Sequence, residues 1–232
     1  MRRYLIIDDN VAFADNLAEI LRDNGAEAVV VAEAAEALEA VRSTRFDALV
    51  TDMRMTEMNG ARLVHEIRAV DRGVPAIVVS AYTGEGDLVA ARDEGLLAVL
   101  PKPAPIPRLL KLLHGARRNG LVAVVEDDCV LADALAEALR DRGFSAVTAR
   151  SVTETGRLRG VKPFAALVDV RVAGGDGEAL RAVLRQNPSL PVLAMTGFGE
   201  ANVLAEAIHT FEKPFSTEKV IQVLEELHQV AQ

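Results

Sequence analysis

A chain of 232 residues, half of them apolar, is long enough for two domains of a little over a hundred residues, each with its own core. Its formal charge of −8 is shared between the halves, with 15 basic against 18 acidic residues in 1–118 and 11 against 16 in 119–232, so neither offers the basic face that draws nucleic acid. Cys129 is the single cysteine, which excludes an internal disulfide and any cysteine-based metal cluster.

At the N-terminus, Met-Arg-Arg is followed by only four apolar residues, Tyr4 to Ile7, before Asp8. That is too short for a signal peptide, and no run approaches membrane-spanning length, so a cytoplasmic protein without membrane contact is expected. Tyr4–Ile7 reads as a strand stopping at Asp8 and Asp9. Leu17 and Leu21 at helical spacing then predict an amphipathic helix, which Gly25 closes by tolerating a left-handed cap. A second strand, Ala28–Val31, and a helix follow. The run from Phe46 to Asp52 is apolar and β-prone, a buried parallel strand with Asp52 at its carboxyl end. Gly60 comes eight residues after Asp52 and opens a helix ending before Pro75. The strand Ala76–Val79 closes on Ser80, and a fifth strand, Leu96–Leu100, runs into Pro101 and Lys102. Proline lacks the donor that a central strand needs, which places this strand at a sheet edge. Pro105-Ile106-Pro107 leads into the apolar helix Arg108–Leu113, and Arg117-Arg118-Asn119-Gly120 alone separates it from the next strand, leaving no long flexible linker.

The chain then repeats itself. The stretch Asp9–Gly25 lies over Asp127–Gly143 at an offset of 118, which becomes 117 at Asp52 and Asp169, 116 at Ser80 and Thr196, and 111 at Lys102 and Lys213. Leu121–Val125, Ala146–Thr148, Ala165–Asp169 and Val192–Met195 are the matching strands, with a helix again expected between the second and third. Strands alternating with helices argue for parallel α/β sheets in two tandem domains, 1–118 and 119–232. The second is expected to have a shortened fourth helix, since Lys213 follows Thr196 by 17 residues where Lys102 follows Ser80 by 22. Cys129, in the first helix of copy two, is expected to be a small core residue.

Parallel strands gather their carboxyl-end residues on one edge, where open α/β sheets bind ligands. Copy one brings Asp8, Asp9, Asp52, Ser80 and Lys102 there; copy two brings Glu126, Asp127, Asp169, Thr196 and Lys213. Three carboxylates in one pocket repel one another unless a cation intervenes, and hard oxygen donors without nitrogen or sulfur favour Mg²⁺. Asp52 would then serve as a nucleophile towards phosphorus, with Lys102 and Ser80 beside the phosphoryl oxygens. A lone acidic pair after a strand is more often a helix N-cap than a metal site; its recurrence with every partner in register argues otherwise. His65, His114, His209 and His228 are scattered without ligand spacing and are expected to be structural or exposed.

With an acidic pair after the first strand, Asp then Gly eight later, Ser80-Ala81 or Thr196-Gly197, and Lys102-Pro103 or Lys213-Pro214, both halves resemble receiver domains of two-component response regulators. The resemblance implies a doubly wound, flavodoxin-like five-stranded sheet of order 2-1-3-4-5 in each, with Asp52 and Asp169 phosphorylated by a histidine kinase or phosphotransfer protein. It implies that Asp9, Asp52 and the Arg54 carbonyl bind Mg²⁺, with Asp8 reaching it directly or through water, and that Asp127, Asp169, the Arg171 carbonyl and Glu126 do the same in copy two. Ser80, Lys102, Thr196 and Lys213 become the remaining catalytic groups, the Lys-Pro bonds are cis, and output passes to a downstream protein target without direct nucleic-acid binding. The oligomeric state is left open.

Departures from the family pattern are Thr56 and Ala173, where proline is common, and Val99 and Thr210, where the family has an aromatic ring. Tyr82 with Arg54, and Phe198 with Arg171, are bulky flanks to the path of an attacking water, and slow loss of the phosphoryl group is expected from them. Two other classes stand beside this one. An aspartate-nucleophile phosphatase would want a second Asp where Arg54 and Arg171 stand. A flavodoxin-like flavin or nucleotide binder would want a Gly-rich loop after the first strand, and none is present.

Overall fold

Short apolar runs alternating with amphipathic segments have one economical arrangement, a parallel sheet covered by helices on both faces. The computed structural model describes residues 1–55, 58–81, 95–172, 177–197 and 206–231, without the side chains of 157 and 159. It divides into two compact units, Met1–Asn119 and Gly120–Gln232. In the first, strands β1 (Arg3–Ile7), β2 (Glu27–Val31), β3 (Ala48–Asp52), β4 (Ala76–Ser80) and β5 (Ala98–Pro101) form a parallel sheet of order β2-β1-β3-β4-β5. In the second, β6 (Leu121–Val125), β7 (Ser145–Ala149), β8 (Ala165–Asp169), β9 (Val192–Thr196) and β10 (His209–Glu212) repeat the order as β7-β6-β8-β9-β10. Both sheets are the doubly wound 2-1-3-4-5 arrangement, and the Pro101 strand lies at the edge.

Strand periodicity divides each core in two. Tyr4, Ile6, Val50, Ile77 and Val79 face helices α1 (Val11–Asp23) and α4 (Ile106–Gly115), through Leu17, Leu21, Leu109 and Leu113. Leu5, Ile7, Leu49, Ala76 and Val78 face α2 (Ala34–Ser43) and α3 (Gly60–Val70), through Val41, Leu63, Val64 and Ile67. Copy two does the same with α5 (Cys129–Asp141) and α8 (Thr217–Val230) on one face, and α7 (Glu178–Gln186) on the other. Each fully buried Leu, Ile or Val among these contributes about 1.5–3 kcal/mol, which is why the central strands are almost wholly apolar up to their carboxyl ends, with Thr51 the buried exception next to Asp52.

The helices that follow β1 and β6 start on side-chain caps: Asn10 accepts from the Phe13 amide, and Asp128 from those of Val130 and Leu131. Gly25 (φ +78°) and Gly143 (φ +83°) take the left-handed conformation expected after each helix. Two expectations fail. The crossover between β7 and β8 is a 3₁₀ turn, Thr153–Arg157, running into the four-residue helix α6 (Leu158–Val161), not a full helix. Gly156 and Gly160 weaken helical propensity there, where α2 has the alanine-rich AAEALEAVRS. Cys129 is exposed, because it is the first residue of α5, and Ala132, Leu135, Ala136 and Leu139 are the ones that turn inwards. His228 is buried against the edges of Phe144 and Phe164, while the other three histidines are exposed.

The glycine eight residues beyond each strand-end aspartate has a different reason in each copy. The amides of Gly60 and Gly177 donate to the carbonyls of Met53 and Val170 at 2.9 Å. A Cβ on Gly60 would stand 2.0 Å from the Asp52 carbonyl oxygen, whereas Gly177 is needed for its φ of +74°. Gly60→Ala is therefore expected to cost the first unit about 2–3 kcal/mol through forced displacement, and Gly177→Ala the second about 1–2 kcal/mol through backbone strain. Urea unfolding of the full chain measures both, and a negligible loss in Gly60→Ala would sink the steric account.

Candidate functional site

The parallel register brings the carboxyl ends of β1 and β3 side by side, with Ile7 paired to Thr51. Asp8, the residue after β1, is 2% exposed, and its Oδ1 accepts the Asn10 amide at 3.0 Å. The helix cap and the buried carboxylate thus share one turn. Asp52 ends β3, and its Oδ1 accepts the Arg54 amide at 3.4 Å. Lys102 follows β5, where its own amide is held by the Ser80 carbonyl at 2.8 Å and its bond to Pro103 is cis. From there its Nζ reaches Asp8 Oδ2 at 2.7 Å and Asp52 Oδ2 at 2.9 Å, and sits 4.7 Å from the centre of the Phe13 ring. Ser80 is buried at the end of β4 between them.

Copy two reproduces the cluster. Lys213 Nζ reaches Glu126 Oε2 at 2.7 Å and Asp169 Oδ2 at 2.8 Å; the Asp128 amide donates to Glu126 Oε1 at 3.2 Å and the Arg171 amide to Asp169 Oδ1 at 3.0 Å. The Thr196 carbonyl holds the Lys213 amide at 2.8 Å, and the Lys213–Pro214 bond is cis. Glutamate in place of Asp8 makes the same two contacts across one more methylene.

Burial is the largest influence on Asp8 and Glu126 and pushes both carboxyls above their ordinary range, against the pull of the lysine bonded to each. For Lys102 and Lys213, burial favours the neutral amine, but hydrogen bonds and charge from the two facing carboxylates outweigh it and raise the ammonium. Both lysines are therefore cations at neutral pH. In each pocket the lysine bonds two of three clustered carboxylates: Asp8, Asp9 and Asp52 place oxygens within 4.8 Å of one another, as do Glu126, Asp127 and Asp169. That surplus of hard oxygen donors is the composition a divalent cation such as Mg²⁺ fits.

The expected carboxylates and lysine of each set thus meet in their own unit, while Ser80 and Thr196 end the strand between them and the Thr196 hydroxyl donates to the Gly197 carbonyl at 2.9 Å. Arg54 and Arg171, expected to offer carbonyls, meet the aspartates through their amide N–H groups. Phe13 escaped the sequence reading; its signal is its place one helical turn beyond the acidic pair, where copy two has Leu131. Val99 and Thr210 sit in the edge strands, paired to Val78 and Ala194, and both are half-buried. Tyr82, Phe198, Thr56, Ala173 and most of the segment expected as a fourth helix in each copy lie outside the described residues.

The sequence profile of the response regulator receiver domain matches residues 4–114 and again 122–225. A response regulator receiver protein of Anaeromyxobacter sp. (strain Fw109-5) is 57% identical over 229 residues, covering 98% of this chain and 96% of its own. The response regulator MprA of Mycobacterium ulcerans (strain Agy99) is 32% identical over 155 residues, 67% of this chain and 65% of its own. Among solved structures, a CheY-like response regulator receiver domain protein from Methanospirillum hungatei JF-1 aligns at 27% identity with a TM-score of 0.48, over 49% of this chain and 91% of its own.

The shared lysine carries a direct prediction. Lys102→Met strips the buried Asp8 of its cation and is expected to cost the metal-free protein about 3–5 kcal/mol, the usual consequence of orphaning one member of a buried pair. Adding Asp8→Asn should recover most of it. Chemical unfolding in chelator-treated buffer reads both, and a Lys102→Met chain as stable as the parent would show that the lysine is not offsetting the carboxylates.

Proposed function

The chain belongs to the response regulator receiver domain family in both of its halves and is therefore a protein of two-component phosphorelay signalling; from that premise we propose that Asp52 and Asp169 each accept a phosphoryl group from a phosphohistidine on a histidine kinase or phosphotransfer protein. The observation that carries this reading is the lysine bridging the strand-end aspartate and the preceding acid in both units, at 2.7–2.9 Å in each case. A nucleophilic carboxylate, a fixed cation beside it and a nearby hydroxyl are what an in-line transfer to aspartate requires.

In the proposed step an oxygen of Asp52 attacks phosphorus, an O–P bond forms as the donor's P–N bond breaks, and the imidazole leaves with its ring proton. Lys102 shifts its bond from the Asp52 oxygen to a phosphoryl oxygen, and Ser80 donates its hydroxyl to another. Asp169, Lys213 and Thr196 take the same roles in copy two. Asp8, Asp9, Asp52 and the Arg54 carbonyl would hold Mg²⁺ in one pocket; Glu126, Asp127, Asp169 and the Arg171 carbonyl would hold it in the other. When bound, the ion supplies charge neutralisation that lets a phosphate approach the carboxylates. The chemistry is confined to the protein's own aspartates, so the output is a contact with a downstream protein target in the cytoplasm and not turnover of a substrate. Among the described residues no helix is long and apolar enough to cross a membrane.

Intact-mass measurement after incubation with acetyl phosphate and Mg²⁺ should show two phosphoryl additions, abolished by a chelator. Asp52→Asn and Asp169→Asn should each remove one. A parent protein that never exceeds one addition would contradict the equivalence of the two pockets.

A further inference from the structure

At the opposite edge of the first sheet, where the chain enters β3 and β4, there is a recess of about 640 Å³ between the turns that follow α2 and α3. Arg42, Arg45, Arg72 and Arg118 line it, with Asp71 as the one acidic side chain. Asp71 is already neutralised: Arg118 grips both its oxygens at 2.6 and 2.8 Å and donates to the Phe46 carbonyl as well. Arg42 approaches Glu39 at 3.6 Å in an exposed, water-screened pair. Arg45 and Arg72 are exposed and have no ion pair among the described residues. Among the described residues the lining therefore carries two cations without an ion pair, Arg45 and Arg72, beside the weakly paired Arg42, inside a unit whose own balance is 15 basic against 18 acidic residues.

The fold does not demand this loading. At the same place in copy two, between the ends of α6 and α7, the recess is about 240 Å³ and is lined by Leu158, Val183 and Leu190, with Lys162 as its one cation among the described side chains. Like-charged guanidinium groups gathered in a concavity repel one another, and an anion relieves that repulsion. Their planar forks match phosphate oxygens in pairs, and the volume is that of a small-molecule site. We propose that this recess binds a compact polyphosphate, either a short inorganic chain or the phosphate tail of a nucleotide. The site lies at the far end of the strands from Asp52, so its occupancy does not require the phosphorylation chemistry and is tested apart from it.

Titration calorimetry of the full chain with sodium tripolyphosphate, in chelator-treated low-salt buffer, should give saturable binding of one ligand per chain, with adenosine triphosphate competing for it. Arg45→Ala with Arg72→Ala should weaken binding at least about tenfold, since each removes a charged hydrogen-bonding group. Arg108→Ala with Lys111→Ala removes two exposed charges from α4, outside the recess, and should change affinity less than about twofold apart from the general salt effect. Absence of saturable binding in the parent, or equal losses in the two double variants, would overturn the proposal.

Discussion

One ammonium group facing two buried carboxylates sets the terms in each unit. Asp8 and Asp52 come from neighbouring strands, but Lys102 comes from beyond β5 and must extend past β4 to meet them, which its long flexible stem allows. The three residues are 94 and 50 positions apart in sequence. Only a parallel sheet, with every strand end on one edge, brings them within 3 Å. The same closeness gathers three carboxylates around one lysine among the described residues, an oxygen-rich cluster that could hold a metal ion and that is a direct result of the strand order.

Much of this was legible in the residues. A strand buried on both faces must be apolar along most of its length, so polar residues cluster at its end, and Asp8, Ser80 and their counterparts, and Asp52 after Thr51, announce themselves in that way. The edge position of β5 followed from Pro101 alone. What sequence could not resolve were matters of side-chain direction. Cys129 is a residue type that is usually buried, but it begins a helix, where only the following turns face the core. Phe13 looked like one more apolar helical residue, and its ring over the lysine depends on the angle at which α1 leaves the sheet. The weak helix before β8 was written in Gly156 and Gly160, yet the repeat with copy one argued for a full helix and concealed it.

The two copies keep the pocket and vary its supports. Asp8 becomes Glu126 without loss of a contact, Phe13 becomes Leu131, and the glycine eight residues after the aspartate is kept for space in one unit and for backbone angle in the other. Divergence is wider at the other end of the sheets, where arginines line one recess and leucines the other. Constraint therefore falls off with distance from the lysine, as expected if the strand-end geometry is what both units must preserve.

The lysine's address has a dynamic side. β5 and β10 are four residues long and pair with a neighbour on one side only, and beside its two ion pairs each lysine has its backbone held by the amide bond that closes that last rung. Edge strands with so few ladder bonds are among the first segments of a protein to open while the rest stays folded. Each opening would carry the cation out of the pocket and leave the carboxylates facing one another. The fraction of time that the site is assembled is then governed by fraying of one short strand, a quantity that amide exchange at Lys102 and Lys213 reports independently of the stability of the core.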